Sequence, residues 1–417
     1  MKGNSVMIPG LCHGCRFHFG LGSRLSRRQI LSFHTFFLPF IIVFLLCPLF
    51  FAHPVRAGET SRAEDSSPEA PLLSGIAFLE EMPLSYAEQI HIYLYEEGFR
   101  VLVEEGEKPY LLVPEGKEVP EGAEDSFQIL PCPMKKGYLA ATSAMALFGA
   151  MDGLSSLRFS SLTKDNWYVT GAREAMEKGE ILFAGKYSEP DYELLLLEGC
   201  DLAMESTMIY HCPKVKEMLE SLGIPVFVDR SSYEEHPLGR SEWIKVYGVL
   251  SGREEEAWAF FSLQEEVLKE SEGYKKTGKK AAFFSVNSMG LAVVRSSSDY
   301  VPKMLELAGA VYVPGDTSLL EDTKKSTVSM SMEEFYFEAK EADYLIYNAS
   351  IEAPLSSVQE LVDKNALFAD FRAVKEGHVF CTDKYLYQAT DIMGELIRDF
   401  HTMVTGGEEF LFLYPLS

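Results

Sequence analysis

Apolar and polar residues change their rhythm along this chain, and the changes mark its organisation. "HIYLYEEGFRVLVEEGEKPYLLV" alternates apolar and polar positions on both sides of Glu-Glu-Gly, which predicts strand, turn, strand. "FQILPCP" and "GYLAAT" read as further short strands. Beyond them, helical and extended patterns take turns. Ser143 to Met151 is helical, "SLRFSSL" extended, "GAREAMEKG" helical and "ILFAG" extended. "PDYELLLLEGC" is a helix with proline at its start, where a missing N–H costs nothing. "DLAMES", "KVKEMLESLG" and "IPVFVD" follow as strand, helix and strand. Such alternation predicts a parallel sheet covered by helices on both faces.

From Arg240 to about Glu272 the only breakers are Gly248 and Gly252. This stretch reads as one long helix, or as two segments divided at Gly252. The alternation then restarts with "AAFFSV", "DYVPKMLELAG", "AVYVP", "SMEEFYFEAKEA", "DYLIYNAS", "SVQELVDKN" and "HVFCTD", and closes on the helix "TDIMGELIRDFHTMV". The two halves echo each other: "PDYELLLLEGCDLAMES" and "SMEEFYFEAKEADYLIYNAS" are both a helix, an Asp and a strand ending in polar residues. The expected architecture is α/β, with two Rossmann-like α/β lobes joined by a long rigid helix and a ligand cleft between the lobes. Its parts are a leader (1–57), a flexible linker (58–74), an N-terminal lobe (75–238), an interlobe helix (239–274) and a C-terminal lobe (275–417).

The leader stands apart in charge. It holds six bases and no acid, and an apolar block from Ile30 to Ala52 leads to Val55-Arg56-Ala57. That is the pattern of an export signal cut after Ala57. A retained anchor is the competing reading, since the block approaches the length of a membrane span. "SRRQILS" also resembles a twin-arginine signal, while Cys47, in "VFLLC", lacks the small residue that should precede a lipidated cysteine, which makes a lipoprotein the lesser reading. Export puts the remainder in an extracytoplasmic, periplasmic or cell-surface setting. Without the six leader bases, 32 bases face 62 acids, a net charge of −30. Such a surface repels nucleic acid and excludes it as a partner. Cys132, Cys200, Cys212 and Cys381 match no metal spacing.

Ligands of open α/β sheets sit beyond the carboxyl ends of strands. Residues expected at the cleft are therefore those that follow strands. In the first half these are Thr142, Ser143, Trp167, Tyr168, Lys186, Tyr187, Ser206 and Tyr210. In the loop that leaves the first lobe they are Arg230, Tyr233 and Arg240, and in the second half Asn287, Ser288, Asn348, Tyr385 and Tyr387. Trp167 and Tyr168 follow a polar loop, as the wall of a cleft would. Arg230 has two readings. Its planar fork suits a carboxylate or phosphate on the ligand, or it braces the crossing by pairing with Glu205. No glycine-rich phosphate loop, no His-Glu-x-x-His and no nucleophile elbow appears. No enzymatic activity is expected.

The order of these elements from Gly137 to Met403 resembles the iron-siderophore, haem and cobalamin class of solute-binding proteins of ABC importers. The resemblance is carried by "YLAATSAMALFGAMDGLSSLRF", "PDYELLLLEGCDLAMEST", "LGIPVFVDRSS", "LSGREEEA", "VPKMLELAGAVYV" and "AVKEGHVFCTD". It implies a monomer that holds a small-molecule metal chelate between its lobes, an iron complex, haem or cobalamin, with no resident cofactor. It implies an ABC permease and its ATPase as partners, and docking through one acid on each lobe. Glu333, with Glu334 beside it, matches the second-lobe position, while Ala146 stands where the first-lobe acid is expected. A membrane-tethered ligand sensor and an exported enzyme of unknown type are the alternatives.

Overall fold

The computed structural model describes residues 69–315, 317, 326–350 and 352–417. The expected leader and most of the linker lie outside these residues. No described helix is long and apolar enough to cross a membrane.

The alternating segments after Ile76 form strands as expected, but in a sheet of their own rather than within the sheet of the N-terminal lobe. Strands β1 (Phe78–Glu81), β2 (His91–Tyr95), β3 (Arg100–Val103) and β4 (Tyr110–Pro114) are antiparallel in sequential order. After a single turn of helix, α1 (Ala123–Ser126), strand β5 (Gln128–Cys132) adds parallel to β4. The period of two gives this sheet two apolar faces. Tyr93, Tyr95, Val101 and Leu111 close a small core with Phe127. Ile92, Leu102, Tyr110 and Leu112 face the other way and join the main core.

The first α/β lobe follows. Its elements are β6 (Gly137–Leu139), α2 (Ala144–Ala150), β7 (Leu157–Ser160), α3 (Thr170–Glu177), β8 (Leu182–Phe183), a small hairpin of β9 (Gly185–Lys186) and β10 (Glu189–Pro190), α4 (Tyr192–Glu198), β11 (Leu202–Ser206), α5 (Pro213–Ser221) and β12 (Val226–Asp229). The strands lie in the order β12-β11-β6-β7-β8, all parallel.

The crossing departs from a single helix. Instead α6 (Pro237–Glu242), α7 (Ile244–Ser251) and α8 (Glu254–Glu272) follow one another. The chain turns at Gly252, whose φ of +70° is left-handed and open to glycine at little cost. Helices α7 and α8 then pack closely enough that a Cβ on Gly248 would lie 2.7 Å from the Cβ of Ala257. Of the two readings of this stretch, the division at Gly252 is the one realised. The break has a packing reason: α7 lies against α2 and β5, and α8 against the helix Met393–Thr405 of the second lobe.

The second lobe comprises β13 (Lys280–Val286), β14 (Ala292–Arg295), α9 (Tyr300–Leu307), β15 (Val311–Val313), β16 (Thr327–Met330), α10 (Met332–Ala339), β17 (Tyr344–Tyr347), α11 (Val358–Lys364), α12 (Arg372–Glu376), β18 (Val379–Thr382), α13 (Met393–Thr405) and β19 (Leu413–Pro415). Its strands run β16-β14-β13-β17-β18-β19, with β15 beside the first half of β13. The lobes share one plan. In each, the first strand (β6, β13) pairs in parallel with the strand that follows a helix (β11 after α4, β17 after α10), and that strand pairs in parallel with the next (β12, β18). The echo between the halves of the sequence is therefore a structural equivalence of α4 with α10.

Candidate functional site

Loops that follow strand ends in the two lobes meet directly. The Tyr168 N–H, beyond β7, donates to Gln388 Oε1 at 2.9 Å. Gln388 Nε2 donates to the Asn166 carbonyl at 2.9 Å and to the Tyr387 hydroxyl at 2.8 Å. The Tyr168 and Tyr385 rings lie 5.9 Å apart, with Tyr168 39% exposed. Beyond β6, the Ser143 carbonyl accepts from Thr390 Oγ1 at 2.6 Å, and the Thr390 carbonyl accepts from Ser241 Oγ at 2.7 Å. Ser143, Tyr168, Tyr385 and Tyr387 are thus gathered at one seam, and half-buried Thr142 adjoins it in sequence.

Trp167 is not part of a cleft wall. It is buried in the main core and donates from Nε1 to Ser160 Oγ at 2.9 Å. The hydroxyl in the core satisfies the indole N–H, so no polar surface is needed.

A second group lies where the crossing meets the second lobe. The Arg240 guanidinium stacks 4.3 Å from the centre of the Tyr300 ring, and Arg295 approaches the same ring at 5.9 Å. Arg240 is buried, reaches the Ser232 carbonyl at 3.5 Å and leaves its Nε without a partner. Nearby, a cavity of about 480 Å³ opens between the crossing (Glu235, His236), Glu88 of the N-terminal sheet region, and Ser297–Asp299, Lys303 and Tyr312 of the second lobe. None of the ligand residues expected from the sequence lines it. His236 stacks on Tyr86 at 4.7 Å, and its Nδ1 accepts from the Leu238 N–H. Burial first, and Lys303 second, push its pKa down to about 4, so it is neutral at pH 7.

The Arg230–Glu205 pair does not form. Arg230 leaves β12 with φ −105° and ψ 12°, which turns its side chain towards the loop between β3 and β4. There Nη1 donates to the Glu105 carbonyl, and the guanidinium lies 5.5 Å from the Tyr233 ring. Its carboxylate neighbour is Glu104, whose buried oxygens have no hydrogen-bond partner and whose pKa burial raises well above the usual range. Glu205 is buried on β11 with no hydrogen-bond partner for either oxygen, and burial pushes its pKa up to about 8. Tyr210 also faces the N-terminal sheet region, donating to Glu107 Oε1 at 2.7 Å. Arg230 and Tyr210 therefore join that sheet to the first lobe.

The remaining expected residues serve local turns or lie open. Ser206 accepts from the Met208 N–H at 3.4 Å, and Asn348 Oδ1 from the Ser350 N–H at 3.1 Å. Asn287 Oδ1 accepts from Met289 and Leu291 N–H groups, both at 3.0 Å, and shapes the hairpin whose tip holds exposed Ser288. Lys186 is exposed on the β9–β10 hairpin, and Tyr187 is half-buried against the core beneath it. The four cysteines of the described residues are all unpaired.

The acids expected at the second-lobe docking position differ in what engages them. Glu334 is engaged in a capping box, accepting from the Ser331 N–H and hydroxyl at 2.8 Å each. Glu333 beside it is exposed. Ala146 is buried in α2 and can present nothing to a partner. The structural equivalent of Glu333 is Glu193. Both are exposed and stand two residues past an N-cap, Asp191 or Ser331, that accepts from the N–H of the third residue. Two residues further on, both helices bury an apolar side chain completely, Leu195 or Phe335. The repeat in the sequence carried this signal; it becomes decisive only when the strand order makes α4 and α10 equivalent.

No family model matches the chain. It is 25% identical over 350 residues to an uncharacterized lipoprotein of Methanocaldococcus jannaschii, covering 77% of this chain and 81% of that protein. A second uncharacterized lipoprotein of that organism is 22% identical over 346 residues, covering 79% and 85%. Among solved structures, the chain is similar to the periplasmic heme binding protein HutB of Vibrio cholerae, with a TM-score of 0.52 and 16% identity over 65% of this chain and 99% of that one. A periplasmic heme binding protein from Pseudomonas aeruginosa gives a TM-score of 0.51 and 16% identity, covering 68% and 98%. A periplasmic binding protein from Veillonella parvula gives 0.51 and 15%, covering 64% and 91%. The likeness is one of fold: the chain has the two-lobed α/β fold of these binding proteins.

Proposed function

We propose that this chain is the extracytoplasmic solute-binding component of an ABC importer, which takes a metal chelate between its lobes and hands it to a membrane permease and its ATPase. The observation that carries the reading is the meeting of loops beyond the strand ends of both lobes, at Tyr168 with Tyr385 and at Ser143 with Thr390. A ligand held there touches both lobes at once. The solved proteins of this fold include two named for heme binding, and the relatives named as lipoproteins accord with an exported, surface-held protein. Among the described residues no three His, Cys, Asp or Glu side chains are grouped to hold a metal ion. That favours a metal already wrapped in a chelator, an iron-siderophore, haem or cobalamin, as cargo rather than as resident cofactor. A single chain suffices for such a role, and a monomer is expected. Glu193 and Glu333 are the proposed docking acids.

The test is thermal unfolding of the exported chain with haem, with ferric catecholate and hydroxamate siderophores, and with cobalamin. A ligand that binds only the folded state raises the midpoint. One of these should do so in a concentration-dependent way. No shift with any of them sinks the chelate reading.

A further inference from the structure

Trp167 is a core anchor between two residues of the seam. Its ring is buried and bonded to Ser160, so the backbone on either side of it is held in place. The Asn166 carbonyl and the Tyr168 N–H therefore stand at the seam as a fixed acceptor and a fixed donor. Such a preorganised pair binds a partner at little cost in ordering. Both are taken by one side chain of the other lobe. Gln388 Oε1 accepts from Tyr168, and Nε2 donates to Asn166. A carboxamide has two N–H donors, and the second goes to the Tyr387 hydroxyl. Gln388 is 2% exposed and keeps no donor for anything else. Thr390, also 2% exposed, gives its one hydroxyl proton to the Ser143 carbonyl. The Tyr168 and Tyr385 rings, 5.9 Å apart, are themselves a contact pair. These polar groups of the first lobe are thus engaged by the second lobe's own side chains.

We infer that Gln388 and Thr390 are placeholders, which hold the first-lobe groups that a bound chelate takes over. This rests on the importer reading above. A chelate seated between the lobes has to part the two rings and displace the Gln388 carboxamide from Asn166 and Tyr168. Gln388 then sets affinity by competition. The apparent affinity of the chain is its intrinsic affinity reduced by the fraction of molecules in which the seam has let go. The placeholders also serve delivery. When the chelate leaves, they return to groups that would otherwise be buried without partners. A residue that contacts the ligand predicts the opposite sign, since removing it weakens binding.

The experiment titrates the exported chain and two variants, Gln388→Ala and Thr390→Val, with haem, ferric siderophores and cobalamin, and follows hydrogen exchange of the Tyr168 amide. Gln388→Ala should bind the chelate about tenfold more tightly than the unaltered chain, since the two hydrogen bonds that compete with it are gone. Thr390→Val, which replaces only the hydroxyl by a methyl group, should tighten binding by a smaller factor. It carries the test if melting curves show that Gln388→Ala does not fold. The Tyr168 amide should exchange slowly in the unaltered chain and faster in Gln388→Ala. Fast exchange in the unaltered chain overturns the placeholder without reference to any ligand. Weaker binding by either variant makes its residue a ligand contact and overturns the placeholder. Unchanged affinity in both, with the unaltered chain still binding, overturns it too and leaves the importer reading standing. Failure of all these chelates to bind any of the three chains overturns the importer reading and the placeholder with it.

Discussion

Lys245 and Glu242, on successive helices of the crossing, form an ion pair at 2.7 Å with side chains 1% and 0% exposed. The ammonium also lies 3.7 Å from the centre of the Trp258 ring on α8. The carboxylate is shared more widely. It accepts from the backbone N–H groups of Ser85, Tyr86 and Ala87 at 2.7–2.8 Å. The next two residues, Glu88 and Gln89, donate in the same way to Glu234 at 2.8 and 3.0 Å. The segment between β1 and β2 therefore ties the N-terminal sheet to the crossing.

Glu242→Gln should be strongly destabilising, by about 3–5 kcal/mol, because it strands a buried ammonium. Lys245→Met should cost less, since three N–H donors still serve the carboxylate. Denaturant unfolding of the two variants checks the order. Equal losses would show that the backbone donors contribute little.

Glu205 gives a pH signature. Its folded pKa of about 8 lies above its ordinary value of 4.5, so the folded chain holds a proton that the unfolded chain releases between these values. The associated stability is fully present below about pH 4.5 and is lost as pH rises towards 8, by at most ~1.4 kcal/mol per pH unit. Glu205→Gln should remove that part of the slope. Melting curves from pH 5 to 8 should show the unaltered chain losing stability faster than the variant, and parallel curves would remove Glu205 as the source.

What was legible in the sequence and what was not divide along physical lines. Period-two and helical patterns report burial, so the N-terminal strands, the alternation of both lobes and the echo of α4 in α10 could be read, while the matching of Glu193 rather than Ala146 with Glu333 needed the strand order. The crossing was legible only as a choice, because the left-handed turn at Gly252 depends on what α7 and α8 pack against. Side-chain direction past a strand end was not legible. Arg230 lies past the end of β12 in non-extended backbone and reaches the Glu105 carbonyl beside Glu104, not Glu205. The strap at Ser85–Gln89 left no side-chain signature, because its donors are backbone N–H groups.

Arg230→Ala tests that reassignment. The guanidinium is buried beside Glu104 and bonded to the Glu105 carbonyl, so its loss should lower stability by leaving Glu104 without its nearby positive charge. Glu104→Gln should partly rescue it, whereas Glu205→Gln should not. Ligand affinity should stay unchanged. Melting temperature and affinity, measured together on the single and double variants, separate these outcomes, and weaker binding at unchanged stability would return Arg230 to the ligand.

The neighbours Trp167 and Tyr168 should behave oppositely. Trp167 is 1% exposed, and its indole N–H is satisfied inside the core by Ser160. Trp167→Ala should cost about 3–5 kcal/mol of stability through the cavity it leaves. Tyr168 presents its ring to Tyr385 across the seam, while its hydrogen bond to Gln388 runs through the backbone N–H, which survives truncation of the side chain. Tyr168→Ala should therefore melt close to the unaltered chain and bind the chelate more weakly. Tyr385→Ala should do the same, because each ring completes the other's surface. Titrations of the two tyrosine variants with whichever chelate raises the melting point check this. Full affinity in both would move the ligand away from this seam and towards the cavity beside His236 and Tyr312.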